Sequence, residues 1–169
     1  MPIHLVIDGY NLIGASPSGY AKNDLESVRE ELFRRLAAYK RLKGHKITVV
    51  FDGKYSEHLS RRRESRDGIE VVFSKGGEEA DLIIKEMAEN KREGLTIVTS
   101  DRDIALFAIK NGSVVIPSNE FAEILEMADY SEMKGIIDNE DEAGGSAKKG
   151  NPKRLSKKDR QKVKRLKKL

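Results

Sequence analysis

Along this chain, unbroken apolar runs alternate with stretches in which apolar residues return every three or four positions. The runs HLVID (residues 4–8), KITVVFD (46–52), IEVVFS (69–74), LTIVTSD (95–101) and SVVIP (113–117) predict five strands. Most carry continuous apolar stretches rather than the alternation of a half-solvated strand, so they read as covered on both faces. Between them, Leu25–Lys43 predicts a helix whose Leu25, Val28, Leu32, Leu36 and Tyr39 form one stripe, capped by Asn23 or Asp24 and stopped by Gly44. Further helices are predicted over Glu79–Asn90, over Asp103–Lys110 and from Ser118 to about Met127. Strands alternating with helices imply parallel pairing through crossovers. The fold class is therefore α/β: a three-layer α/β/α sandwich around a central, mostly parallel five-stranded sheet.

Three of the apolar runs end on an aspartate: Asp8, Asp52 and Asp101. In such sheets, ligands sit beyond the carboxyl ends of the strands. Asp103 follows in the first turn of one helix, and Asp81 opens another beside Glu78 and Glu79. Carboxylates gathered at one rim repel each other and raise each other's pKa values. A divalent cation removes that penalty. Mg²⁺ or Mn²⁺ prefers hard oxygen ligands, bridges carboxylates to phosphate and supports in-line displacement at phosphorus. Each acid also has a plainer reading. Asp101 could cap the helix after Ser100, Asp103 and Asp81 could be favourable charges at helix N-termini, and Asp52-Gly53 could be a turn. Asn11 is either a turn residue or a hydrogen-bonding partner of Asp8 and a phosphate. The joint pattern favours a metal site.

Charge divides the chain. From Lys148 to Leu169 there are twelve Lys or Arg and one acid, a net +11, which leaves −7 for residues 1–147 and +4 overall. The expected organisation is an α/β body over 1–137, a flexible linker over 138–150 and a basic tail over 151–169, helical when bound. Lys153, Arg154, Lys157, Lys158, Arg160, Lys164 and Arg165 of the tail are candidate RNA contacts. So are Arg61, Arg62, Arg63 and Arg66, in the stretch between the second and third predicted strands; arginine's planar fork suits phosphate. Tyr10 and Tyr55 are candidates for base stacking, with burial at the sheet edge as the alternative. The absence of Cys excludes disulfides, thiolate metal sites and cysteine nucleophiles. No run approaches the length of a membrane span, and the N-terminus lacks signal-peptide character, so the expected location is cytoplasmic. His4, His45 and His58 read as structural or solvated.

The segments VIDGYNLI, VVFDG, EEADLIIKEMAE and IVTSDRDIA, in this order and spacing, resemble the NYN domain, and within it the YacP-like group. NYN domains are similar to PIN domains, a family of metal-dependent ribonucleases. The resemblance covers Ile3 to about Met127 and implies an endoribonuclease with an Mg²⁺ or Mn²⁺ site. It places the family's acids on Asp8, Asp81, Asp101 and Asp103 as catalytic and metal-binding residues, with Asn11, Asp52, Ser100 and Glu79 in support. Which of Glu78, Glu79 and Asp81 reaches the metal stays open. It also implies a role in mRNA turnover and, as in some members, association with the ribosome. The alternative is an NYN-like module that grips RNA or the ribosome without cutting. A phosphatase of the haloacid dehalogenase type is disfavoured, because its second acid would stand at Tyr10. A Gly-x-Gly-x-x-Gly nucleotide site is absent after the first strand.

Overall fold

The computed structural model describes residues 2–16, 24–91 and 94–142. In it the chain runs β1 (His4–Asp8), α1 (Gly9–Gly14), α2 (Leu25–Lys43), β2 (Lys46–Phe51), β3 (Arg62–Arg66), β4 (Ile69–Phe73), α3 (Ala80–Asn90), β5 (Thr96–Val98), α4 (Arg102–Lys110), β6 (Val114–Ile116) and α5 (Ser118–Glu142). The six strands form one sheet in the order β3-β4-β2-β1-β5-β6. All neighbours are parallel except β3, which runs antiparallel to β4. Among the described residues no helix is long and apolar enough to cross a membrane.

The apolar runs build the layers by alternation. Leu5, Ile7, Val49 and Val71 point to one face and pack with Leu32, Leu36 and Tyr39 of α2 and Phe121 and Leu125 of α5. Val6, Val50, Val72 and Ile97 point to the other and pack with Ile83 and Ile84 of α3 and Ile104 and Ala108 of α4. Burying apolar side chains on both faces is what a continuous apolar strand requires. Helix α2 has the predicted bounds: the Asp24 carboxylate accepts from Ser27 N–H at 2.9 Å, and Gly44 closes the helix at φ 70°.

Three features differ from expectation. The sheet has six strands, because residues 62–66 (RRESR) pair with β4 instead of looping. This strand is exposed along its whole length and has no apolar face, so the hydrophobic pattern does not reveal it. Its signal is the two-residue turn that follows, Asp67-Gly68, with φ of 51° and 76° as a tight hairpin requires. Second, α1 begins directly after Asp8. A Cβ on Gly9 would run into the Phe51 ring, so only glycine lets the chain turn from strand to helix here. Third, α5 continues past Met127 through Glu142, into the segment read as linker. Expectations for residues 143–169, including the tail helix, fall outside the described residues.

Candidate active site

Asp8 ends the central strand, where the order of the sheet reverses: β2 lies on one side of β1 and β5 on the other. The carboxyl ends of β1 and β5 therefore open a crevice, the usual ligand position in such sheets. Asp8 is largely withdrawn from water. Burial pushes its carboxyl up to about 6, the charges of Asp101, Asp81 and Asp52 push the same way, and a hydrogen bond from Thr99 opposes them. Thr99 Oγ1 donates to Asp8 Oδ2 at 3.3 Å and accepts from the Asp101 N–H at 3.1 Å. One hydroxyl thus joins the ends of β1 and α4.

Asp101 is the N-cap of α4: its Oδ1 accepts from the N–H groups of Asp103 and Ile104 at 2.9 and 3.1 Å. The residue is exposed. The plain capping role and a place at the rim are therefore compatible. Asp81, in the first turn of α3, is the acid of its segment whose charge reaches Asp8. Glu78 is instead buried and held bidentately by Arg61 at 2.9 and 2.8 Å, while Glu79 pairs with Lys54 at 3.0 Å. Asp52 accepts from Lys54 N–H at 2.7 Å, the turn expected of Asp-Gly, yet its charge also acts on Asp8. Asp103 is turned toward Lys85 and is 79% exposed at its side chain.

Asn11 does not hold Asp8. Its Oδ1 accepts from the Ser100 N–H at 2.8 Å and the Ser118 hydroxyl at 2.6 Å, and Ser100 Oγ accepts from the Ser118 N–H at 3.0 Å. These three side chains fasten α1, the β5–α4 turn and the start of α5 to each other, which fixes the loop carrying Asp101. Tyr10 lies half-buried with its ring 4.9 Å from Phe51 and its hydroxyl accepting from Arg29 at 2.9 Å. Tyr55, in contrast, is 95% exposed on the β2–β3 loop.

The arginines between β2 and β4, expected as phosphate contacts, have partners within the protein. Arg61 binds Glu78 and Glu86, Arg63 binds Glu70 at 2.6 Å, Arg66 binds Glu30 at 2.9 Å, and Arg62 stacks 4.7 Å from the Phe73 ring. An exposed charged edge strand needs such partners, and its charges also discourage edge-to-edge association. Two histidines stand apart from the rim. His4 and His45 are at the opposite end of their strands, and burial with nearby Lys91 and Lys46 depresses His4 to about 4.

Asp8, Asp81 and Asp101, with Asp103 beside them, are the residues that could hold a divalent metal. Their chemistry fits: hard oxygen donors share one rim, and the most buried of them is destabilised as an anion. Among the described residues, no three acids lie close enough to ligate a common ion in this arrangement. Thr99, Ser118 and Lys85 went unnoticed in the sequence. For Lys85 a signal exists in its spacing four residues after Asp81, which puts the two on one helix face.

A model of the family described as YacP-like NYN domain matches residues 5–168, so the match runs beyond Met127 and through the basic segment. Over 102 residues the chain is 33% identical to the uncharacterized protein YacP of Bacillus subtilis (strain 168). That match covers 57% of this chain and 59% of the relative, less than two thirds of its length. Among solved structures, a point mutant of Rae1 (YacP) from Bacillus subtilis superimposes with a TM-score of 0.68 at 25% identity, covering 84% of this chain and 86% of that one. A second crystal structure of Rae1 (YacP) gives 0.66 at 28% identity, covering 85% and 86%.

Proposed function

Because the chain belongs to the YacP-like NYN domain family, a branch of the PIN-like nucleases, we propose that it is a metal-dependent endoribonuclease that hydrolyses RNA phosphodiesters. The observation that supports this most is Asp8: a carboxylate at the end of the central strand, desolvated and surrounded by the charges of three other acids. Such a group is costly to keep charged unless a cation shares it. Asp8, Asp81 and Asp101 would hold Mg²⁺ or Mn²⁺, with Asp103 completing the set. When bound, the ion supplies charge neutralisation at phosphorus and an acidified water.

The chain's own contribution is orientation. Thr99 fixes the Asp8 carboxylate, the capping bonds fix Asp101, and the Asn11–Ser100–Ser118 triangle holds the turn between them. A groove of about 490 Å³ beside the rim, lined by Lys75, Glu79, Asp81, Leu82 and Lys85, gives RNA a path to these acids. The rim itself repels a polyanion, so attraction falls to the +11 segment from Lys148, which binds RNA with little sequence preference. mRNA turnover is the setting, and the ribosome a partner, that the family suggests.

The test compares cleavage of a single-stranded RNA by wild type and by Asp8→Asn, with and without Mn²⁺. Wild type should cut only with the ion, and the variant should lose at least about a hundredfold, the scale of one preorganised electrostatic group. Equal cleavage by both proteins would mark a contaminating nuclease. Cleavage by neither, with RNA still bound, would establish a binding module.

A further inference from the structure

Lys85 lies one helical turn beyond Asp81 on α3, and its ammonium reaches two acids of the rim. It pairs with Asp103 across the gap to α4 and stands 3.8 Å from Asp81. Its side chain is only 23% exposed, and Nζ lies 5.8 Å from the Phe107 ring, so the cation is lodged between two helices.

A surface pair that only fastened α3 to α4 would need one acid and would contribute little. Lys85 instead meets two of the four acids proposed for the metal site, Asp103 and Asp81. Asp103 is turned toward the lysine, and Asp81 has a cation at hand. Crowded carboxylates need a counter-charge at all times, whether or not an ion is present.

We propose that Lys85 is the resident counter-cation of the acidic rim and that it is displaced when a divalent ion binds. This rests on the metal-dependent reading above and deepens it. The ammonium and the ion compete for Asp103 and Asp81, and the lysine's charge also opposes the ion from a distance. Loading therefore breaks the Lys85 pairs, and metal affinity is set lower than the four acids alone would give. The groove that Lys85 lines gives the released ammonium a place beside the path of an RNA phosphate.

The experiment titrates the full chain with Mn²⁺ in the absence of RNA, reading free ion by electron paramagnetic resonance. It compares wild type, Lys85→Met, Lys85→Gln and Lys85→Arg. Both neutral variants should bind Mn²⁺ roughly tenfold tighter, since a unit charge a few ångströms away has been removed. Lys85→Arg should stay within about threefold of wild type by the same reasoning. Thermal melts supply the second readout: Mn²⁺ should raise the midpoint of the neutral variants more than that of wild type, because tighter binding stabilises more. Wild-type affinity in a folded neutral variant would reduce Lys85 to a strut between helices and overturn the proposal. Absence of Mn²⁺ binding in every protein would instead bring down the metal-dependent reading together with it.

Discussion

Asp8 keeps its proton to about pH 6 in the folded, metal-free chain because burial and neighbouring acids disfavour its charge. Its ordinary value is 3.8, so between the two the folded state binds more protons than the unfolded. Stability then falls as pH rises through that window and stays lower above it, by about 3 kcal/mol at most for such a shift. Asp8→Asn removes the titration. In EDTA at pH 8 the variant should resist urea better than wild type by about 2 kcal/mol, and the difference should vanish near pH 4. A variant no more stable than wild type at pH 8 would mean that Asp8 is not strained as an anion. Such a gain in stability on removal of a functional group is the usual sign of a site kept for function. The strand-end position of Asp8 was legible in the apolar run before it; its partner Thr99 was not, because a threonine in a turn has many uses.

At the scale of elements, Arg61 shows how a local reading can miss a fold-level role. In the sequence it begins an arginine cluster that looks made for phosphate. In the structure it precedes β3 and reaches over to Glu78, which is 7% exposed, and to Glu86 on α3. It thereby anchors the edge of the sheet to the helix that carries Asp81. Arg61→Ala would leave a buried carboxylate unpaired and should cost about 3 kcal/mol in chemical denaturation, whereas Arg63→Ala, losing an exposed pair, should cost under about 1 kcal/mol. If Arg61→Ala weakened RNA binding and left stability intact, the phosphate reading would be restored. Helix α2 was legible to its last residue because stripe, cap and stop all agree. Strand β3 was not, because an exposed charged edge leaves no hydrophobic pattern, and only its Asp67-Gly68 turn announces it.

Over the whole molecule, an acidic body of net −7 carries a segment of net +11. If the acidic rim is where RNA is cut, as proposed, long-range attraction comes from the segment and depends strongly on salt. Deleting Lys148–Leu169 should weaken binding of a long RNA at low salt by about tenfold or more and flatten its salt dependence. Cleavage of a short RNA, governed by the rim, should persist. Unchanged binding at low salt would refute the assignment. The family match running to residue 168 puts this segment inside the family's shared sequence, although the recognisable motifs end near Met127.

The order of the five apolar strands and the helices between them, the two-sided burial of the sheet and the placing of acids at strand ends were determined by the sequence alone, because each follows from local periodicity and from chain reversal at one edge. Which acids face each other, and what neutralises them, only the tertiary structure decided. Glu78 and Asp81 are three residues apart, yet one is turned inward to an arginine and the other outward to a lysine. Lys85 follows Asp81 by one turn of the same helix, a spacing the chain carries, but the arginine reaches Glu78 from beside the edge strand β3, and no spacing encodes that contact.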